Sequence, residues 1–242
     1  MKVLVTGGSG LLGSNIKKVR TDWYYPSHKG FDITKERQMQ DYLNEHKFSE
    51  DDLILHCAAF TGIKECESIK HMARSVNIAG TENVIKTAFK KNIFVIYIST
   101  DYVFKGKQGN YKEGDRTDPT TYYGLTKCEP EKFVLGYGKS TVIRTSFIQG
   151  DEWPHPAAFE DKYSSFVKVN KLVEALIKIV EDENRPLGLL HVGGKRKSFY
   201  EMAKSINSEI GKISLKEMEL NIPEDTSLDV SRFIRLYGRI KE

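Results

Sequence analysis

The chain has 242 residues, 39% of them hydrophobic and 29% charged, with a formal net charge of +4; this suits one α/β domain with a small appendage and an ordinary core. Lysines and arginines are scattered, which argues against a nucleic-acid surface, and no apolar run approaches the roughly 20 residues needed to cross a bilayer. Cys57, Cys66 and Cys128 lack Cys-x-x-Cys or His-rich spacing, so they read as reduced packing thiols of a cytoplasmic protein, and no metal site is expected.

The first apolar run, VLVT at 3–6, leads into a glycine turn and then a helical pattern. Gly8, Gly10 and Gly13 satisfy G-x-G-x-x-G, while Gly7, Gly10 and Gly13 satisfy the looser G-x-x-G-x-x-G. Either spacing leaves backbone N–H groups at the positive end of a helix dipole, where a pyrophosphate can sit. Further strand-like runs fall at 23–26 (short), 52–59, 94–100, 141–146 and 188–192, and helical patterns near 11–20, 35–45, 69–91, 121–135, 169–181 and 198–210. This alternation predicts an α/β fold with a doubly wound, Rossmann-like parallel sheet covered on both faces. Polar residues and prolines at 150–165 break the pattern. The expected division is a dinucleotide-binding domain over 1–149, with 166–192 returning to it, and a small, shortened substrate lobe from 150–165 and 193–242.

Ligands of an open parallel sheet lie at the carboxyl ends of its strands. There the run Ser99, Thr100, Asp101 puts a hydroxyl at the sheet edge, and Tyr123 and Lys127 share one face of the next helix. Four Tyr-x-x-x-Lys pairs occur in the chain, but only this one opens a helix soon after a strand ending in hydroxyl residues. An ammonium beside a phenol lowers its pKa, so the expected site is an acid/base pair serving a hydride transfer. Pro130 is expected to end or kink that helix one turn past the lysine.

The segments TGGSGLLG, HCAAFT, VN, STDYVFKG, Tyr-Gly-x-Thr-Lys and RTS, in this order, resemble the extended short-chain dehydrogenase/reductase superfamily, and within it the dTDP-4-dehydrorhamnose reductase family of dTDP-rhamnose biosynthesis. The resemblance implies an oxidoreductase that uses NADP(H), with NAD(H) possible, to reduce a 4-keto-6-deoxy sugar nucleotide. It implies Thr100, Tyr123 and Lys127 as the catalytic set. Tyr123 would donate the proton, Thr100 would polarise the carbonyl, and Lys127 would hold the nicotinamide ribose. Gly7, Gly10, Leu11, Leu12 and Gly13 would meet the pyrophosphate, Asp32 and Ile33 the adenine, and Ala58 and Ala59 the ribose and diphosphate. Thr61, Asp101, Tyr102 and Trp153 would face the sugar nucleotide, and a homodimer is possible.

No carboxylate occupies the end of the second strand, where an NAD site holds its ribose. Ser27, His28 and Lys29 stand there instead, so NADPH is expected to bind more tightly than NADH. Trp153 or Phe159, in the 150–159 segment, would form a flap stacking on the base. His56 reads as a hydrogen-bonded packing residue where the family has Asn, and Asn77 as either a brace behind the site or a participant. Two rival functions remain: an epimerase or epimerase/reductase, with His56, Cys66 and Asp101 as extra acid/base groups, and a non-catalytic NADP-binding regulatory subunit.

Overall fold

The computed structural model describes residues 1–150, 152–218 and 222–241. Its strands are β1 (Val3–Thr6), β2 (Leu53–His56), β3 (Phe94–Ile98), β4 (Ser140–Thr145), β5 (Phe147–Ile148), β6 (Ala157–Phe159), β7 (Tyr163–Ser164), β8 (Val167–Lys168), β9 (Gly188–Val192), β10 (Lys197–Ser198) and β11 (Gly211–Ile213). Its helices are α1 (Leu11–Val19), α2 (Glu36–Glu45), α3 (Ile63–Ser68), α4 (Lys70–Ala73), α5 (Thr81–Lys91), α6 (Tyr122–Cys128), α7 (Glu131–Tyr137), α8 (Val169–Glu181), α9 (Phe199–Lys204) and α10 (Ser231–Tyr237). The central sheet runs β1-β2-β3-β4-β9, every pair parallel.

Both faces are covered because alternate residues of each strand are apolar in both directions. Val3, Val5, Leu53, Leu55, Ile96 and Ile98 join α1 and α8 in one core, while Leu4, Ile54, Val95 and Tyr97 join α2, α5 and α7 in the other. Among the described residues no helix is long and apolar enough to cross a membrane.

Several expected elements come out differently. The strand expected at 23–26 shrinks to Tyr24, which bridges Leu4 on the free edge of β1, because Pro26 has no N–H to extend a ladder. The helix expected over 69–91 is interrupted by a π-helical stretch, Arg74–Gly80, that turns Asn77 inward. The helix expected over 121–135 does split at Pro130, which opens α7 with φ −66°. The last expected helix stops at Lys204, where the Ser205 hydroxyl folds back on the Met202 carbonyl. α3 went unforeseen because Cys66 is its one buried residue, too few to show a period.

The segments at 150–165 and 193–228 meet in short pairs: β6 with β11, β7 with β10, and Tyr163 with Asp225. Asp151, residues 219–221 and Glu242, part of the expected lobe, lie outside the described residues. α10 was expected in the lobe, but Phe233 joins the core beneath β9, with Tyr237 and Ile240 packed on it. Phe233 is the buried anchor of this short helix, with the partly buried Tyr237 packed one turn on.

Candidate active site

A cleft of about 970 Å³ opens at the carboxyl ends of β1 to β4, where the chain crosses from one side of β1 to the other. Its floor is backbone. Gly7 has φ +70°, and a Cβ there would lie 2.7 Å from the Ala58 backbone; one on Gly13 would overlap the Gly7 carbonyl. No side chain caps α1, so its first-turn N–H groups are open to an anion. Open amides, absent side chains and this volume fit the diphosphate of a dinucleotide.

The opposite wall carries Thr100, Tyr123 and Lys127, all lining the cleft. Thr100 leaves β3 extended, and its Oγ1 accepts from Tyr102 N at 3.2 Å. Thr121 caps α6 by accepting from Gly124 N at 3.1 Å, which sets the helix so that Tyr123 and Lys127 face inward. The expected lowering of the Tyr123 pKa does not occur. Burial dominates and pushes the phenol well above its ordinary range, with the Thr100 hydrogen bond opposing it. Burial also brings the Lys127 ammonium down to about 7. That ammonium lies 4.2 Å from the centre of the Tyr97 ring, which shares its charge. At neutral pH Tyr123 is thus a protonated acid.

Below this wall is a buried ion pair with no sequence signal. Ser99 Oγ donates to Glu131 Oε1 at 2.6 Å, and Arg144 Nη2 donates to Glu131 Oε2 at 2.6 Å, joining β3, α7 and β4 directly behind Thr100.

His56 is enclosed between Thr6 Oγ1 (2.7 Å from Nδ1) and Thr81 Oγ1 (3.0 Å from Nε2). Thr81 spends its proton on the Asn77 carbonyl, so it accepts from Nε2–H; Thr6 then donates to Nδ1 while accepting from Ala58 N. The network needs a neutral ring, and burial lowers its pKa from 6.5 to about 3. The unfolded chain binds this proton first, so stability is present above pH 6.5 and lost as pH falls toward about 3, with a slope of about 1.4 kcal/mol per pH unit. His56→Asn should flatten that stretch in urea unfolding measured from pH 7 to 4; an unchanged slope would assign the acid loss elsewhere.

Asn77 is a brace. Its Oδ1 accepts from Phe60 N at 2.7 Å and its Nδ2 donates to Phe60 O and Thr126 Oγ1, tying the 57–61 loop to α6. Of the two further epimerase candidates outside Asp101, neither reaches the cleft: His56 is enclosed, and the buried Cys66 points its Sγ at the Phe60 carbonyl.

The cleft also gathers Gly10, Leu11, Leu12, Ser27, His28, Asp32, Ile33, Ala58, Ala59, Thr61, Asp101 and Tyr102. Asp32 does double duty, its Oδ1 accepting from Thr34 N and Oγ1 ahead of α2. Burial opposes its ionisation, but those bonds, with His28 and Lys35 nearby, hold it below the usual carboxylate range. Lys29 does not line the cleft; its carbonyl is bonded by Gln38 in an exposed turn. Lys17, in the last turn of α1, lines it instead; a lone lysine late in an amphipathic helix carries no local sign of a binding role. Trp153 does not line the cleft either. It packs against Phe199, Ala158, Ala203 and Ile210, its Nε1 directed at the Ala157 carbonyl. Phe159 likewise lies off the cleft, in β6 paired with β11 and with its ring edge-on to Phe199.

The RmlD substrate binding domain family matches residues 1–227. A dTDP-4-dehydrorhamnose reductase of Aggregatibacter actinomycetemcomitans is 32% identical over 157 residues, 62% of this chain and 52% of that protein. Methionine adenosyltransferase 2 subunit beta of Xenopus tropicalis is 32% identical over 162 residues, 62% of this chain and 48% of that one. The matched stretch thus spans about half the length of these curated relatives. The crystal structure of dTDP-4-dehydrorhamnose reductase from Bacillus anthracis str. Ames in complex with NADP is similar over 100% of this chain and 95% of its own, with TM-score 0.86 and 27% identity. With a five-stranded parallel sheet, a glycine cradle and a family match over nearly its whole length, the chain belongs to the RmlD substrate binding domain family, on the extended short-chain dehydrogenase/reductase fold.

Proposed function

We propose that this protein is an NAD(P)H-dependent reductase of a 4-keto-6-deoxy sugar nucleotide, of the dTDP-4-dehydrorhamnose reductase kind. The observation that carries the reading is the position of Thr100, Tyr123 and Lys127 on one wall of the cleft, across from the uncapped α1 turn. A bound dinucleotide supplies the hydride. The chain's own residues do the rest. Tyr123, kept protonated by burial, gives its proton to the developing alkoxide while the Thr100 hydroxyl steadies the same oxygen. Lys127, on the same wall, supplies a donor for the ribose. Following NADPH oxidation over a panel of keto sugar nucleotides tests this directly.

A second reading draws on the likeness to the adenosyltransferase subunit of Xenopus tropicalis, a binding partner by name. NADPH binding without oxidation on any keto sugar nucleotide would favour it.

The proposed preference is for NADPH, with Lys17, Ser27 and His28 around the 2′-phosphate in place of Lys29. The Lys17 ammonium stands 5.7 Å from the Tyr25 ring centre on the cleft wall, and the nearest acid of the second-strand region, Asp22, is engaged by Arg20. Lys17→Glu should cut the ratio of NADH to NADPH dissociation constants by about tenfold or more, a change of about 1.4 kcal/mol. An unchanged ratio would remove Lys17 from the site.

A further inference from the structure

Tyr97, in β3, is fully buried and meets Lys127 at both its backbone and its charged end. Its hydroxyl donates to the Lys127 carbonyl at 3.2 Å, and its ring centre lies 4.2 Å from Lys127 Nζ. That carbonyl sits in the last turn of α6, which stops at Cys128 ahead of Pro130, so it takes its donor from outside the helix. The ammonium needs a partner as well, because burial opposes its charge. The ionisable groups facing it leave that task to the ring. Glu131, on α7, is committed to Arg144 and Ser99. At neutral pH the Cys57 thiol and the His56 imidazole, at the end of β2, are uncharged, with pKa values of about 12 and about 3, and Tyr123 on α6 keeps its proton. A desolvated cation over a ring face is attracted by the negative π-face.

The ring is fixed from the neighbouring strand. His56 is the register partner of Tyr97 across β2 and β3 and stacks on it, with 5.5 Å between centres and 29° between planes. His56 is in turn held by Thr6 and Thr81. We infer that Tyr97 is the positioning residue for Lys127: its ring carries the ammonium, and its hydroxyl fixes the backbone from which that side chain leaves. The sheet, and not only the helix that bears Lys127, then sets where this charge stands. One consequence rests on the ribose role proposed above for Lys127: dinucleotide affinity should follow the charge that Tyr97 sustains.

The test replaces Tyr97, in the full chain, with phenylalanine and then with phenylalanines carrying one and three ring fluorines. Fluorine withdraws negative charge from the ring face and nearly keeps its shape, so packing is preserved across the series. The Lys127 side-chain signal, recognised by its loss in Lys127→Arg, is titrated by NMR without nucleotide. Tyr97→Phe should titrate close to the native midpoint of about 7. The ring with three fluorines should titrate lower by about half a pH unit or more, with the single fluorine between, because a weakened π-face favours the neutral amine. Tyr97→Phe also strips the donor from the Lys127 carbonyl, so amide exchange at the junction of α6 and α7 should quicken by about threefold or more. The rise of the NADPH dissociation constant with pH should begin lower by the same shift as the midpoint. One midpoint throughout the fluorine series, or unchanged exchange in Tyr97→Phe, would overturn the inference. A midpoint that moves while the NADPH dissociation constant does not follow supports Tyr97 as the hold on Lys127 and counts against the ribose role proposed for that lysine.

Discussion

Tyr123→Phe is expected to lower NADPH-driven turnover by about 10²-fold or more while leaving cofactor affinity nearly unchanged. The ring survives, with its edge contact to Tyr102 at 6.2 Å between centres, so packing of the cleft wall is kept and only the transferable proton is lost. Because burial holds the phenol protonated, the native enzyme should keep its acid form well above neutral pH. Lys127 behaves in the opposite sense. Its pKa of about 7 means that the ammonium is lost as pH rises through that value, so Lys127→Ala should damage both dinucleotide binding and rate. Normal turnover in Tyr123→Phe would place the proton donor elsewhere and end this account of the site.

Arg144→Met is expected to cost about 3–5 kcal/mol of stability in urea unfolding, because it leaves the Glu131 carboxylate buried without its charge partner. The two side chains are only 4% and 5% exposed, and no solvent can replace the lost contact. Replacing the pair together, as Glu131→Leu with Arg144→Met, should recover most of that loss, since neither charge then has to be desolvated. Ser99 would lose its acceptor in the double variant, which links this pair to the placement of Thr100 one residue on. A single variant as stable as the native chain would mean that the pair contributes nothing measurable.

Much of the cleft's lining follows from local sequence. The glycine turn, the hydroxyls after β3 and the Tyr123 and Lys127 spacing are local features, each decided within one or two turns of chain, and all of them line one cleft. Pro130 is local too, and it divides α6 from α7 as its missing N–H requires. The strand at 23–26 was misread because its apolar residues pack as single side chains beside β1 and pair only at Tyr24. The packing of Trp153 against Phe199, Ala158, Ala203 and Ile210 has no local signal, because an aromatic in a proline-rich segment gives no sign of its neighbours.

The sequence by itself determined the alternating strands and helices, hence the parallel sheet, and the residue types at the strand ends, because periodicity and turn chemistry act over short stretches. The tertiary structure alone decided which charges are buried. Lys162 and Arg144 with Glu131 look like ordinary polar positions in the chain, and nothing local to Asp101 marks its carboxylate as buried. Each is enclosed by segments distant in sequence: Asp101 by Ser164 and Thr226, Glu131 by Arg144 and Ser99, and Lys162 by Pro223. Burial also reversed the expected direction of the Tyr123 pKa, since desolvation depends on the whole surrounding wall and not on the residue four positions along the helix.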